Sequence, residues 1–384
     1  MTRAERVAAV AAALVLVIGM GFGRFAFTGL YPLMVSEGHL TVHGGSYAAS
    51  ANYAGYLIGA LALGFIPLRS SRFMCVFGAA TTVLALALLG LPLSEWMIAT
   101  VRGLAGIFSA IALVGASHWL IHDRHHTGGA PTLFAGVGAG IFLSAEIIAA
   151  GRSFSIGSEG IWLLLALAAL VLAAVSYALM TSRAVAGAAP AQKSAPDAPM
   201  VPGALTAVQL IWIYGLGGFG YIITATYLPL LISTALGSVD PLQIWAVFGL
   251  GAIPSCFVWH AWHMRLGTSR SLMINLLFQA LGVALPAISH SPIAYLGSAL
   301  LVGGTFMGTV TIVLPAARRV AGTVRFNILA IVTASYGVGQ IIGPLLANAL
   351  YVHWQTFDAA LIVAAAALVI AAASCLGRRA HSPA

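Results

Sequence analysis

The chain has 384 residues, of which 60% are hydrophobic and only 7% charged, and its formal net charge is +8. Soluble domains carry about 25% charged residues, so this composition excludes a soluble globular protein. The apolar residues come in repeated runs of about 20, each able to cross a hydrocarbon core of roughly 30 Å as a helix, and the alternating segments of about 10 residues that build a membrane barrel are absent.

In chain order, the predicted spanning helices cover 7–33, 44–67, 73–91, 95–121, 130–151, 159–180, 205–235, 241–263, 270–289, 292–316, 325–351 and 356–376. The first follows Arg3 and Arg6 and runs through Met20 to Leu33 without a small-residue cleavage site, so it reads as an uncleaved helix and not a signal peptide. With the amino terminus on the cytoplasmic side, Arg69, Arg72, Arg124, Arg183, Lys193, Arg265, Arg270, Arg318, Arg319, Arg325, Arg378 and Arg379 fall inside. Outside lie Glu37, Glu95, Glu159, Asp240 and Asp358, with Arg152 the single basic residue. The bias predicts that both termini are cytoplasmic. The basic balance is thus a signal of topology in a lipid bilayer, and no nucleic-acid partner is expected.

Between the sixth and seventh spans, residues 181–203 are rich in Ala and Pro and lack the bulky apolar groups that would fold them. They predict a cytoplasmic linker between an N-terminal six-helix bundle, 1–180, and a C-terminal one, 204–384. A repeat supports the division. Gly21-Phe22-Gly23-Arg24 and its continuation to Pro32 return, ungapped and 197 residues later, as Gly218-Phe219-Gly220-Tyr221 and its continuation to Pro229. The fold class read from these features is an all-α membrane protein of twelve transmembrane helices in two pseudo-symmetric six-helix bundles.

Only Arg24, Arg102 and Glu146 are charged residues clearly inside predicted spans, each roughly 10 Å from the outer boundary at 1.5 Å per residue. A lone charge near the bilayer centre costs about 3 kcal/mol on insertion scales, so such groups face one another or a watery cavity. The expectation is that Glu146 bridges to Arg102 or Arg24 and leaves a net positive charge. A static salt bridge is the structural alternative. The excess cation favours an anionic or zwitterionic solute held by a guanidinium fork, and Glu146 is the carboxylate placed to couple transport to protons, with Arg102 as its partner. Asn52, Tyr53, Tyr56, Tyr221, Tyr336 and Gln340 complete the substrate-binding candidates, with Tyr214, Thr305 and Thr309 as further cavity residues, although buried tyrosines also serve as plain core.

Other polar groups carry less. Ser271, Asn275 and Gln279 form an i, i+4, i+8 stripe suited to interhelical hydrogen bonds. His118, His122, Asp123, His125 and His126 cluster at the inner end of the fourth span, where solvated histidines are common, so no metal is expected. His260 and His263 beside Trp259 and Trp262 read as an interfacial girdle. Cys75, Cys256 and Cys375 fall in or beside separate spans without CxxC spacing. Neither an HExxH nor a phosphate-binding GxxxxGK[ST] element occurs, so neither an enzyme nor a cofactor is expected.

Several motifs are similar to those of the major facilitator superfamily. Arg102-Gly103-Leu104-Ala105-Gly106 resembles its R-x-x-Q-G element with Ala105 in place of glutamine, and Gly339-Gln340-Ile341-Ile342-Gly343-Pro344 resembles its G-x-x-x-G-P element. The loop after the second span resembles its G-x-x-x-D-R-x-G-R-R element but lacks the aspartate, while Arg265-Leu266-Gly267-Thr268-Ser269-Arg270 keeps more of the pattern. More narrowly, Gly21 to Met34, Asn52-Tyr53-Ala54-Gly55-Tyr56 and Gly337 to Pro344 resemble the YbfB/YjiJ group of bacterial inner-membrane transporters. The resemblance implies secondary active transport of a small molecule in the inner membrane, a monomer, and gating roles for Arg69, Arg72, Arg265, Arg270, Gly343 and Pro344. Proton-driven import, proton-antiport export of drugs or metabolites, and a sensor that does not transport all remain open at this point.

Overall fold

The structure, a computed structural model, describes residues 2–65, 70–182, 185, 205–235 and 240–376. Arg69, Arg183, Lys193, Arg378, Arg379 and nearly all of the expected linker lie outside the described residues. The described chain is a succession of helices. α1 (Arg3–Leu16) passes through a π-helical segment (Val17–Phe25) into α2 (Ala26–Ser36). Then come α3 (Val42–Phe65), α4 (Ser71–Leu89), α5 (Glu95–His118), α6 (Ala130–Ser153) and α7 (Ser158–Thr181). After the linker follow α8 (Ala207–Ala235), α9 (Pro241–Ile288), α10 (Pro292–Val320), α11 (Ile328–Trp354) and α12 (Asp358–Ser374).

Local chemistry starts and stops these helices. Thr2 and Glu5 form a reciprocal capping box at α1, and Asp240 accepts from Leu242 N at 3.0 Å ahead of Pro241 at the start of α9. Ser291 and Asn327 cap α10 and α11 in the same way. α9 is 48 residues long but is broken at Gly267, whose φ of 76° lies in the left-handed region, open to glycine at little cost.

Nine helices among the described residues are long and apolar enough to cross a membrane, with α1, the π-helical segment and α2 forming one of them. Their burial sorts them by place. The α7 span buries 28% of its most apolar window and the α8 span 83%, so α7 lies at the periphery and α8 at the centre. The helices before the linker meet those after it along two seams, α3 against α11 and α6 against α9, with α2 and α8 touching between them. These seams are exchanged by the sequence repeat.

The polar stripe of α9 divides into three cases. Asn275 Nδ2 donates to Thr305 O at 3.0 Å and its Oδ1 accepts from Thr309 at 2.7 Å, as an interhelical bond should. Ser271 instead donates to the carbonyls of Gly267 and Thr268 beside it, and the buried Gln279 amide has no partner among the described residues. Because Thr309 and the Thr305 carbonyl are spent on Asn275, both residues belong to the α9–α10 interface and not to a central cavity. His263 also departs from expectation: it is buried, not part of an exposed girdle, while Trp262 beside it is half-exposed.

Candidate solute site

The site begins with a fault in a helix. Between Val17 and Phe25 the backbone follows π geometry, closing at Ala26 N, which bonds to Gly21 O five residues back. Such segments widen a helix locally and recur at functional positions. The glycines permit it: a Cβ on Gly21 would stand 2.4 Å from Gly140 Cα, so the first helix and α6 meet backbone to backbone. The whole segment is buried.

Its carbonyls are bonded by side chains from α5. Arg102 Nη1 donates to Gly23 O at 2.9 Å and Nη2 to Arg24 O at 3.0 Å, while Ser109 Oγ donates to Gly19 O at 2.5 Å. The Arg102 guanidinium also lies 4.5 Å from the centroid of the Phe27 ring. Arg102 is thereby a brace for the irregular helix. The fully buried side chain faces backbone, and among the described residues the expected bridge from Arg102 to Glu146 is not formed. Asn52 stands behind it, donating to the carbonyl of Arg102 at 2.8 Å, and is likewise a support.

Arg24 turns the other way, toward the interface between the two halves. Its Nη2 donates to Gln340 Oε1 on α11 at 2.6 Å. The guanidinium carbon lies 4.4 Å from the Tyr56 ring centroid and 4.8 Å from that of Tyr53, both on α3. Gln340 Nε2 donates in turn to the Tyr221 hydroxyl. Tyr221 stacks on Phe306 and Tyr336, at 5.3 and 5.8 Å between centroids, and Tyr336 on Tyr214 at 4.2 Å. Tyr53, Tyr56, Tyr221, Tyr336 and Gln340 are thus gathered around Arg24. Arg24 is 2% exposed, yet its Nε and Nη1 have no partner among the described residues.

Glu146 is not among them. It is half-buried on α6, and no ion pair joins it to either arginine among the described residues. Arg102 gives both its Nη donors to carbonyls of the π segment instead, and Arg24 gives Nη2 to the Gln340 amide. Level depth along the helices did not imply a shared face.

Beyond the site, toward the ends of α2 and α8, the two halves are tied. Pro229 has no N–H to give to Ala225 O, and Thr28 Oγ1 donates to that carbonyl at 2.9 Å. Thr28 and Ala225 are 197 residues apart, so they are repeat equivalents in mutual contact on the axis that relates the two copies. Tyr53 OH pairs with Thr226 at 3.0 Å, and Tyr227 OH donates to Ser46 at 2.7 Å and to Pro344 O at 3.1 Å. At the rim, Arg152 and Asp240 form an exposed ion pair at 3.4 Å.

The other gating candidates are scattered. A Cβ on Gly343 would be 2.3 Å from Ile222 Cγ2, so the Gly343–Pro344 turn packs closely on α8. Arg72, Arg265 and Arg270 are exposed. Asp123 accepts from Ser71 at the start of α4 and lies 3.2 Å from His118. No group of three or more His, Cys, Asp or Glu among the described residues is arranged to hold a metal ion.

Over residues 16–376 the sequence matches the family described as uncharacterised MFS-type transporter YbfB. The chain belongs to this family. Among curated proteins no match is found. The fold of this MFS-type transporter is similar to that in a crystal structure of the nucleoside transporter NupG, with a TM-score of 0.70 over 96% of this chain and 99% of that one. Sequence identity to NupG is 11%, so that likeness carries the fold and no substrate.

Three residues of the site were not found from sequence. Phe306, Thr226 and Thr28 are neutral residues inside apolar helices, and nothing in their local pattern separates them from lipid-facing or core positions. For Thr28 a signal did exist, because it lies four residues before Pro32 and its repeat counterpart four before Pro229.

Proposed function

We propose that this protein is a secondary active transporter that carries a small anionic or zwitterionic organic solute across the bacterial inner membrane by alternating access, with Arg24 as the anchor. The observation that carries the reading is a buried guanidinium without a carboxylate partner, bearing unpartnered Nε and Nη1 donors where the two halves meet. Buried charge is costly unless paired, so an arginine kept in this state is poised for a partner that arrives from solution.

In this reading the chain crosses the membrane twelve times: α9 crosses twice by bending at Gly267, and α3 and α12 complete the count. Both termini are cytoplasmic, and residues 1–180 and 204–384 rock as two bundles about the axis through Thr28 and Ala225. The ties from Thr28, Tyr53, Tyr227 and Arg152 then close the external side. Transport is coupled to protons through Glu146, which acts from its own half-buried position and not as the partner of an arginine.

The test is a thermal-shift screen of small organic anions, amino acids, cations and neutral nucleosides on the purified protein, followed by counterflow with each hit in proteoliposomes. Stabilisation and counterflow by anions or zwitterions are expected. Stabilisation by cations or nucleosides alone overturns the anion reading, and binding without counterflow overturns transport.

A further inference from the structure

Gln340 bridges the anchor with one planar group. Its Oε1 accepts from Arg24 at 2.6 Å and its Nε2 donates to the Tyr221 hydroxyl. Those partners are repeat equivalents, 197 residues apart, one on each side of the interface. Gln340 lies on α11 and is 1% exposed, so the amide fills a closed slot between a cation and a phenol.

A carboxylate is planar, presents two polar atoms and has nearly the size of a primary amide. In the same slot one oxygen would accept from Arg24 as the amide oxygen does. The other would accept from Tyr221, whose hydroxyl changes from acceptor to donor. The exchange keeps a partner on Arg24 Nη2 and on the Tyr221 hydroxyl, and it turns a neutral acceptor on the guanidinium into an ionised one, giving a charge-assisted bond on both sides. The unpartnered Nε and Nη1 of Arg24 add donors in the guanidinium plane. A tetrahedral sulfonate or phosphonate fits less well. Its third oxygen leaves that plane toward the rings of Tyr53 and Tyr56, which pack on the guanidinium and offer it no donor there.

We infer that the Gln340 amide is an internal stand-in for the carboxylate of the solute, and that the solute is a planar carboxylate which displaces this amide from Arg24 on binding. The inference rests on the reading of Arg24 as the anchor. Displacement has a mechanical consequence, because the Arg24–Gln340 bond joins the first helix to α11 across the interface. A bound carboxylate takes over that bond and frees α11 to move.

The experiment uses the full-length purified protein and four probes, acetate, benzoate, methanesulfonate and benzenesulfonate, with acetamide and benzamide as neutral controls, read as thermal shift against concentration. The carboxylates are expected to act at concentrations at least about tenfold below the matching sulfonates, a difference of about 1.4 kcal/mol. Gln340→Ala should bind the carboxylates as tightly as the parent or more tightly, because the competitor is gone. Gln340→Glu should weaken them at least about tenfold, because a permanent carboxylate holds Arg24. Gln340→Met, close in shape, replaces the alanine variant if that one does not fold.

Equal potency of sulfonates and carboxylates overturns the planar-carboxylate inference and leaves the anion reading standing. Loss of carboxylate binding in folded Gln340→Ala or Gln340→Met overturns the stand-in role, since the amide would then be a direct contact. No response to either carboxylate overturns the inference, while a response to other anions in the wider screen keeps the anion reading. Shifts from the neutral amides alone overturn both.

Discussion

Replacing Arg102 separates a brace from a binding residue. Arg102→Met keeps an unbranched apolar stem but removes the donors to Gly23 O and Arg24 O and the cation against the Phe27 ring. Two interhelical bonds at the membrane average of about 0.6 kcal/mol each put the loss near 1 kcal/mol at least. Two buried carbonyls left without donors, at about 1–3 kcal/mol each, put it near 6 at most. A loss of about 3 kcal/mol lowers the melting temperature of a chain this size by several degrees, at roughly 2–4 °C per kcal/mol. Arg102→Lys, able to reach one carbonyl, should fall between. Thermal unfolding in detergent, followed by tryptophan fluorescence, reads both variants. If Arg102→Met melts with the parent protein but loses solute affinity, the brace assignment is wrong and Arg102 touches the solute.

Four further outcomes follow from the geometry. Arg24→Lys should reduce solute affinity by at least about tenfold, since a point-charge ammonium lacks the planar fork, and normal affinity in counterflow would remove Arg24 as the anchor. Glu146→Gln should abolish proton-driven uptake in proteoliposomes while sparing counterflow; full proton-driven uptake by the variant would exclude Glu146 from coupling. Gly55→Ala should be severely destabilising, because its Cβ would lie 1.9 Å from Gly103 O. Gly103→Ala, on the other side of the same contact, meets only ordinary distances of 3.6 Å and more and should melt with the parent. His126, between the π-helical turn Trp119–Asp123 and α6, is held below its ordinary pKa by burial, with Glu5 opposing the shift. The buried neutral ring stabilises the fold above the unfolded value of about 6.5. That stabilisation should be lost as pH falls through the lower folded value, and Phe at position 126 should flatten the profile measured by hydrogen exchange around Gly129.

Much of the fold was legible because bilayer physics writes itself into composition. Apolar runs and the repeat from Gly21 to Gly218 lead to a multi-pass helical protein, the motifs at Arg102 and Gly339 resemble the transporter superfamily, and the family match over 16–376 agrees. The boundary expected between the eighth and ninth spans falls at Gly267, where non-helical backbone breaks α9 into two helical stretches. For the site, the residue types were readable and the pairings were not. Arg24 stood out because charge in a span is rare, and Gln340 and Tyr221 because polar groups in apolar helices need partners. Depth alone grouped Glu146 with the arginines, but azimuth decides contact, and a π-helical turn shifts the azimuth of everything after it. No residue pattern announced that turn, so the carbonyls that satisfy Arg102 could not be foreseen.

The contact between Thr28 and Ala225 fixes where the two copies face each other, and it bears on how such a machine can hold an odd number of charges. Two identical subunits around that axis would present either two guanidiniums or none, and two neighbouring cations would repel each other. A single chain escapes this parity. By letting position 24 be arginine and position 221 tyrosine, the fused form places one cation beside the centre of symmetry, a state no homodimer of either copy could reach.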